Sequence, residues 1–364
     1  MVDLAGQYQK IKSQVDEAIQ NVILSSAFIN GPDVKEFKKE LATFFNAKHA
    51  ITCGNGTDAL QIALMALDLK PGDEVIVPSF TFIASVEVIA VLGLKPVFVD
   101  IDPYNFTLDA DKIDAVINPK TKAIIVVHLY GQSANMEKIM TIAKNNKIKV
   151  IEDNAQAIGA DCQVNGKWLK AGTIGDIGTT SFFPSKNLGA YGDGGAIITN
   201  NDTLAENMAM IANHGAKVKY YHDIVGINSR LDTIQAAILR IKLSKLDEYI
   251  KARQEAAAFY DMQLKNVEEI EIPKRETYST HVYHQYTLKV SHKRDELKEF
   301  LKEKGIPTMI YYPVPMHKQK PYESIGALYH SEVLCSQVLS LPIHTEITTQ
   351  QQNYICNCIK EFYT

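Results

Sequence analysis

The sequence predicts an α/β protein built on a mostly parallel sheet. Strand-like and helix-like segments alternate between residues 74 and 151, which is typical of a parallel sheet covered by helices. The strand-like segments are nearly continuous apolar runs, as in residues 123–128, and such runs indicate strands that are buried on both faces. At 364 residues the chain exceeds the size at which one core usually stops growing, so a large and a smaller domain are expected.

Apolar spacing and turn residues predict the elements of the large domain in order. Helices are expected first, on either side of a turn around Pro32, and a short strand then precedes a glycine turn and a long apolar helix. The expected helices cover residues 16–24, 34–45, 57–69, 85–92, 110–117, 136–145, 202–212 and 233–241. The expected strands cover residues 50–53, 74–77, 96–99, 123–128, 148–151, 179–183 and 196–199.

The last third of the chain predicts a small α+β domain. A long amphipathic helix over residues 243–264 is followed by a strand-like run over residues 282–290 and a helix over residues 294–304. Further helices are expected near Ser331 and Thr349. We therefore divide the chain into a large domain over residues 1–245 and a small domain over residues 246–364.

Composition argues against several classes of protein. The formal net charge of −4 and the lack of a long basic run argue against a non-specific nucleic-acid binder. No stretch approaches the roughly 20 apolar residues of a membrane span, and the first residues do not resemble a secretion signal, so we expect no membrane partner and a cytoplasmic location. The five cysteines are odd in number and scattered, so neither a disulfide framework nor a metal site is expected.

A glycine turn follows the first expected strand. Residues 54–56 read Gly-Asn-Gly and lead directly into the apolar helix that begins near Thr57. A strand, a turn and a helix in this order aim backbone N–H groups and the positive end of the helix at one point, where anions bind. The pattern is weak alone, and it indicates either a phosphate site or an ordinary helix start.

One lysine, Lys186, lies among small and turn-forming residues between two expected strands. Its loop is rich in glycine, at positions 189, 192, 194 and 195, and glycines allow tight turns and the close approach of a flat ligand. A lysine amine can form a Schiff base with an aldehyde cofactor, and burial lowers its pKa toward the working range. Alternatively, Lys186 is a solvated loop residue, as most lysines are.

Polar residues follow the expected strands at the edge where parallel sheets bind ligands. Asp153 is the most informative, because a carboxylate just past a buried strand is costly unless a cation or hydrogen-bond donor meets it. A protonated pyridine nitrogen is one such partner. The alternative is an aspartate that caps the following helix.

Taken together, these segments resemble the sugar aminotransferases of the DegT/DnrJ/EryC1/StrS family, within the fold type I pyridoxal-phosphate enzymes. The resemblance covers essentially the whole chain and implies a mostly parallel seven-stranded sheet in the large domain. Each motif is weak alone, but their order and spacing together make chance agreement improbable. The motifs are GNGTDAL at 54–60, PSFTF at 78–82, EDNAQ at 152–156, SFFPSK at 181–186, GDGG at 192–195 and GINSRLDTIQAA at 226–237.

The resemblance implies pyridoxal 5′-phosphate as cofactor, with pyridoxamine 5′-phosphate formed during turnover. Lys186 matches the Schiff-base lysine, which also moves the proton between cofactor and substrate. Asp153 matches the partner of the pyridine nitrogen, Gln156 the donor to the ring's 3-oxygen, and Phe82 an aromatic that stacks on the ring. For Phe82 a role in the core remains an alternative.

The phosphate of the cofactor would be held by three residues of one subunit and one of its partner. Gly56, Thr57 and Ser181 match the backbone and hydroxyl donors at the helix start. Asn228 matches an asparagine that reaches the neighbouring subunit's phosphate, which implies a homodimer with shared active sites. A plain turn residue is the alternative for Asn228.

The family also suggests the reaction and its substrates. Lys186 stands where related dehydratases carry histidine, so transamination is expected, with L-glutamate as amino donor and a nucleotide-linked keto sugar as acceptor. Residues 226–232 and 311–317 resemble those of enzymes that aminate C3 of dTDP-linked 3-keto-6-deoxyhexoses. Tyr312 and His317 are candidates for sugar contacts, with His214 a further candidate. The alternative is a surface loop whose prolines only fix its shape.

Three other functions remain as alternatives. A C4 aminotransferase of a UDP- or dTDP-linked 4-keto sugar differs only in the position aminated. A regulatory protein would bind the cofactor without turnover. An NAD-linked oxidoreductase would need a third glycine after the Gly54 turn, where the sequence continues to Ala59 instead.

Overall fold

The computed structural model describes residues 1–322 and 326–364. The described helices are α1 (Leu4–Ser25), α2 (Pro32–Phe45), α3 (Gly56–Ala66), α4 (Ala84–Val91), α5 (Met136–Asn146), α6 (Asp202–Ile211), α7 (Thr233–Leu243), α8 (Leu246–Leu264), α9 (Arg294–Glu303), α10 (Tyr329–Gln337) and α11 (Thr349–Tyr363). The described strands are β1 (His49–Cys53), β2 (Glu74–Pro78), β3 (Lys95–Val99), β4 (Thr121–Val127), β5 (Lys149–Asp153), β6 (Asp161–Val164), β7 (Lys167–Lys170), β8 (Ile177–Ser181), β9 (Gly195–Thr199), β10 (Ala216–Val218), β11 (Tyr221–His222), β12 (Ile270–Glu271), β13 (Tyr286–Val290) and β14 (Val338–Leu341).

Seven strands form the central sheet, in the order β1-β9-β8-β5-β4-β2-β3. The five strands from β8 to β3 are parallel, whereas β9 runs antiparallel to β8 and β1 antiparallel to β9. The predicted α/β fold with a mostly parallel seven-stranded sheet is therefore confirmed. Because the parallel strands end at one edge, the residues that follow them are brought together there.

Helices cover both faces of the sheet, which explains the apolar runs of its strands. Ile125 in β4 packs into a cluster with α3, α4 and α6. The next residue along, Val126, points to the opposite face, where α5 covers it. On that second face α2 and α7 pack over β9 through Ala196 and Ile198. Successive strand residues thus alternate between two buried faces.

The C-terminal part has its own apolar cluster. Helices α8, α9 and α11 pack with the three-stranded sheet β12-β13-β14, and the cluster contains Tyr260, Leu288, Leu339 and Ile355. Helix α8 begins at Leu246. The division into domains at residues 245 and 246 stays a prediction.

The structure differs from the sequence prediction in several segments, among them the first helix, which begins at Leu4 rather than at residue 16. The helix expected over residues 110–117 consists of two short 3-10 turns, and Pro119 soon afterwards prevents a longer helix. The strand expected over residues 282–290 begins only at Tyr286, because the amides of Val282 and Gln285 donate to carbonyls of residues 131 and 130. The β6–β7 hairpin was missed, although its Asn165-Gly166 turn is a recognised hairpin signal.

Other expectations concern metals, disulfides and membranes. Within the described ranges, no group of three or more metal-binding side chains comes together, and all five cysteines are buried free thiols. No described helix combines the length and apolar character needed to cross a bilayer. The expected cytoplasmic location and the lack of a nucleic-acid partner stay predictions.

Replacing Ile125 by alanine should destabilise the fold strongly. Ile125 is fully buried in the cluster between the sheet and α3, and the lost contacts and the cavity cost about 2–5 kcal/mol. The matched control is Val91→Ala, because Val91 is 71% exposed on α4 and its loss should change stability by about 0.5 kcal/mol or less. Urea unfolding followed by circular dichroism measures both. Equal shifts in the two variants would contradict the described packing.

Candidate active site

Lys186 is presented by a closed loop between β8 and β9. Its backbone N–H donates to the Phe183 carbonyl at 2.8 Å, and the Ala190 N–H donates to the Phe182 carbonyl at 2.8 Å. A side chain at Gly189 would meet the Pro184 carbonyl oxygen at 2.3 Å, so the loop can close this tightly only with glycine there.

The environment of the Lys186 amine lowers its basicity. The residue is half-buried, and burial lowers the pKa of its ammonium to about 8, while the nearby Asp153 charge opposes the shift. With that pKa, roughly a tenth of the amine is neutral at pH 7, far more than at its ordinary pKa. The structure thus favours a reactive amine over the alternative of a solvated loop lysine.

Asp153 is the last residue of β5 and is buried at the carboxyl edge of the sheet. One carboxylate oxygen accepts from the Ser85 hydroxyl at 2.8 Å, and the other accepts from the Ala155 N–H at 3.1 Å. These two bonds fix the carboxylate and leave acceptor sites for a further donor. The segment that follows is a turn and no helix, so Asp153 does not cap a helix.

Gln156 lies between two tyrosines. Its side-chain oxygen accepts from the Tyr130 N–H at 2.7 Å, and its Nε2 donates to the Tyr312 hydroxyl at 3.1 Å. The Tyr312 ring lies 6.2 Å from the Phe82 ring, tilted by 40°. Phe82 is 53% exposed, which disagrees with the alternative that it is a core aromatic. The structure therefore brings Phe82, Gln156 and Tyr312 together.

The start of α3 meets the end of β8. A side chain at Gly56 would meet the Ser181 Cβ at 2.6 Å, so the glycine lets the two segments touch. Asn55 caps the helix by accepting from the Asp58 N–H at 2.8 Å. The helix begins at Gly56, with Thr57 next, and its positive end faces Ser181 across this contact. An anion can bind at such a point.

Asn228 lies at the surface near the glycine turn that precedes α3. It is exposed and bridges to Asn213. Its neighbour Ser229 is buried, accepts from the Gly54 N–H at 2.8 Å and donates to the Asp58 carboxylate at 2.6 Å. The segment that carries Asn228 is thus attached to the glycine turn, and its contact with a partner subunit stays a prediction.

The two histidines proposed for the sugar site have different surroundings. His214 is exposed, and its carbonyl accepts from the His222 ring at 2.8 Å. His317 is fully buried, with Nδ1 2.6 Å from the Ser79 hydroxyl and Nε2 3.0 Å from the Glu332 carboxylate. His317 therefore holds the segment that leads to Phe82, and a sugar contact for either histidine stays a prediction.

Sequence reasoning missed two residues that orient the site. Ser85 donates to Asp153 from a position 68 residues away, and the Tyr130 N–H orients Gln156 from 26 residues away. Neither contact produces a periodic pattern in the amino-acid sequence. The common position of Ser85 and Tyr130 after parallel strands was the one available indication.

Comparison with known proteins identifies the family. The sequence model of the DegT/DnrJ/EryC1/StrS aminotransferase family matches residues 9–360. The chain belongs to this family. Membership confirms the predicted family, and it makes the protein an aminotransferase that depends on pyridoxal 5′-phosphate.

Close relatives of this DegT-family chain have different names. A "Pleiotropic regulatory protein" of Geobacillus stearothermophilus is 49% identical and covers 100% of this chain and 98% of its own. A UDP-2-acetamido-2-deoxy-3-oxo-D-glucuronate aminotransferase of Pseudomonas aeruginosa is 47% identical and covers 98% of each chain. The solved structure of NtdA from Bacillus subtilis with bound cofactor PMP is 35% identical, with a TM-score of 0.89, and covers 97% of this chain and 82% of NtdA.

The arranged residues fit the cofactor of the family. A flat pyridine ring needs an acceptor for its protonated nitrogen, an amine for its aldehyde and a cradle of donors for its phosphate. Asp153 keeps acceptor sites, and the Lys186 amine has its pKa lowered. The cradle is the contact of Gly56 with Ser181, which a single Cβ would fill.

Capture of pyridoxal phosphate by the cofactor-free enzyme should depend on pH through Lys186. The neutral amine is the nucleophile, so the capture rate should rise with pH through a midpoint at about 8, where burial places the pKa of Lys186, and level off one to two pH units above it. Stopped-flow absorbance measures the rate.

The control for this profile is Asp153→Asn. Since the Asp153 charge raises the pKa of Lys186, its removal should move the midpoint of the profile to lower pH. A midpoint near the ordinary lysine pKa of about 10.4 in the wild type, or a midpoint that rises in Asp153→Asn, would contradict the described site.

Proposed function

We propose that the enzyme transfers the amino group of L-glutamate to C3 of a nucleotide-linked 3-keto hexose. The observation that carries the proposal is the half-buried Lys186 amine, with its pKa lowered to about 8, beside the Asp153 carboxylate. Family membership supplies the reaction type. The two substrates would bind in turn, with the amino group held on the enzyme between them.

Bound pyridoxal phosphate supplies an electron sink that stabilises negative charge on the substrate carbon next to nitrogen. Lys186 would hold the cofactor through its Nζ and, once released, move a proton at that carbon as a base and then as an acid. Asp153 would accept a hydrogen bond from the protonated pyridine nitrogen. Ser85 and the Ala155 N–H keep the Asp153 carboxylate in one orientation for this contact.

Gln156 and Tyr312 would orient the ring and the substrate. The Tyr130 N–H occupies the Gln156 oxygen, so the amide nitrogen faces the site as a donor for the ring's 3-oxygen. Burial raises the pKa of the Tyr312 phenol, so its hydroxyl stays protonated and can donate to a sugar oxygen. Phe82 would stack on one ring face and exclude water from it.

The phosphate would lie at the contact between α3 and β8. Gly56 and Thr57 offer N–H groups at the helix start, and Ser181 offers its hydroxyl. We propose that Asn228 of a second subunit completes this site in a homodimer. Its exposure at the surface is compatible with that role.

Two observations support amination at C3. Residues 226–232 and 311–317 resemble those of C3 enzymes, and the relative from Pseudomonas aeruginosa is named for a UDP-linked 3-oxo sugar. The sequence motifs favour a dTDP-linked 6-deoxy substrate, whose product would be a dTDP-3-amino-3,6-dideoxyhexose. Tyr312, His317 and His214 are the proposed determinants of the sugar site.

A regulatory function is the second candidate. It is favoured by the name of the relative from Geobacillus stearothermophilus. A regulator that binds the cofactor without turnover would keep its lysine-bound form when glutamate is added, so the same spectra that test catalysis also test this alternative.

Lys186→Ala should abolish the half-reaction with L-glutamate. The wild type should show a yellow absorbance band that glutamate converts to the shorter-wavelength pyridoxamine band, because only a free lysine amine can hold the aldehyde and move the proton. Lys186→Arg is the matched control, because it keeps the charge but cannot form the bond. A yellow band that is indifferent to glutamate in the wild type, or a glutamate-dependent conversion that survives in both variants, would contradict the proposed function.

The pyridoxamine form should be reoxidised fastest by a 3-keto sugar. We expect return of the yellow band with a dTDP-linked 3-keto-6-deoxyhexose, and nuclear magnetic resonance of the product should place the new amine on C3. A UDP-linked 3-keto hexuronate and a dTDP-linked 4-keto sugar serve as competitors. Preference for the hexuronate would contradict the proposed dTDP nucleotide and 6-deoxy group. Amination at C4 would contradict the proposed C3 position.

A further inference from the structure

Lys242 is a lysine in the interior of the protein. It is 1% exposed, near the end of α7. Burial alone lowers the pKa of its ammonium, to about 8, and no ion pair among the described residues includes it. Lysines are almost never fully buried without a charged partner, because desolvation of the ammonium is costly. The residue is not part of the site described above.

Both contacts of the Lys242 ammonium are with the loop that carries Lys186. The Nζ donates to the Gly189 carbonyl at 2.7 Å and lies 4.3 Å from the centre of the Tyr191 ring. The first contact is a charge-assisted hydrogen bond, and the second is a cation–π contact in a desolvated setting. The negative end of α7 stabilises the charge further.

The fixed position of Gly189 is transmitted to Lys186 through the backbone. Gly189 packs directly on the Pro184 and Phe183 carbonyl oxygens, which a Cβ would meet at 2.3 and 3.0 Å. The Phe183 carbonyl in turn accepts from the Lys186 N–H at 2.8 Å. Three successive contacts therefore join the Lys242 ammonium to the backbone of Lys186. They are Lys242 with the Gly189 carbonyl, Gly189 with the Phe183 carbonyl, and that carbonyl with the Lys186 N–H.

A second side chain of α7 holds the same loop. The Gln235 side-chain oxygen accepts from the Tyr191 N–H at 2.8 Å. A side chain at Gly192 would meet the Gln235 amide at 2.9 Å. Helix α7 thus forms a rigid support under the loop, and Lys242 is the charged part of that support.

We propose that Lys242 is a positioning residue for Lys186, which it holds in the orientation for catalysis through Gly189 and Tyr191. The inference rests on the proposed function in that it takes Lys186 as the cofactor lysine. Without the ammonium, the Gly189 carbonyl loses its charged donor and the loop from residue 183 to residue 191 gains freedom. The proton transfers by Lys186 then slow, whereas binding of either substrate changes little.

The test replaces Lys242 by methionine, which keeps the unbranched shape in a buried site. In the full-length cofactor-free protein, amide hydrogen exchange of Lys186 and Ala190 should become at least tenfold faster than in the wild type. In the loaded enzyme, the single-turnover rate with L-glutamate should fall at least tenfold, while the KM for L-glutamate stays within about twofold. Lys242→Arg keeps a charged donor and should recover part of both losses, and it replaces the methionine variant if that variant does not fold.

Lys245→Met is the matched control, because Lys245 lies one turn further on with its side chain 39% exposed. It should match the wild type in both measurements. A Lys242→Met protein with wild-type exchange at those amides and a wild-type turnover rate would overturn the inference, as would faster exchange spread evenly over the chain. Failure of the proposed function is visible separately, as a glutamate-dependent conversion of the yellow band that survives in Lys186→Ala.

Discussion

The active site depends on the balance between burial and charge at the Lys186 amine. Burial lowers the pKa of this ammonium to about 8, and the Asp153 carboxylate acts in the opposite direction. The proposed function needs both influences, because desolvation supplies neutral amine near neutral pH and the carboxylate would be the acceptor for a protonated pyridine. Without burial, the lysine would be strongly basic. Without the carboxylate, the proposed cofactor ring would lack a partner for its nitrogen.

The central sheet holds Asp153 close to the loop that carries Lys186. Asp153 is the last residue of β5, and the neighbouring strand β8 leads into that loop. Asp153 pairs with Thr179, and the Asn154 N–H donates to the Thr179 carbonyl at 2.8 Å. Just before Asp153, the fully buried Glu152 carboxylate accepts from the Gly175 N–H at 2.6 Å and from the His128 ring at 2.8 Å. The His128 Nδ1 accepts from a backbone N–H, so its Nε2 is the donor. The end of β5 is therefore fixed by hydrogen bonds to β8 and to the residues that surround the Glu152 carboxylate.

Sequence patterns predicted the features that depend on residues close together in the chain. Apolar runs indicated the parallel strands, and the glycine-rich loop marked Lys186, since these features lie within a few residues of one another. Contacts between distant segments were not predictable: Ser85, after β2, reaches Asp153, at the end of β5, only once both strands have paired with β4. The burial of His317 between Ser79 and Glu332 was likewise not predictable, because a histidine in a proline-rich loop gives no sign of which way it faces. Its expected sugar contact stays a prediction.

The segments for cofactor and sugar share one scaffold. Tyr130 donates its N–H to Gln156, and its carbonyl accepts from the Gln285 N–H at 3.2 Å. Gln156 in turn donates to Tyr312, on the segment expected at the sugar. The Asn187 side chain, next to Lys186, donates to the carbonyl of Val282 at 3.0 Å. Because these bonds connect the groups expected at ring and sugar, a substitution of Tyr312 that removes its hydroxyl also removes a partner of Gln156. If Tyr312 contacts the sugar as proposed, substrate preference and cofactor geometry are physically coupled through this hydrogen bond.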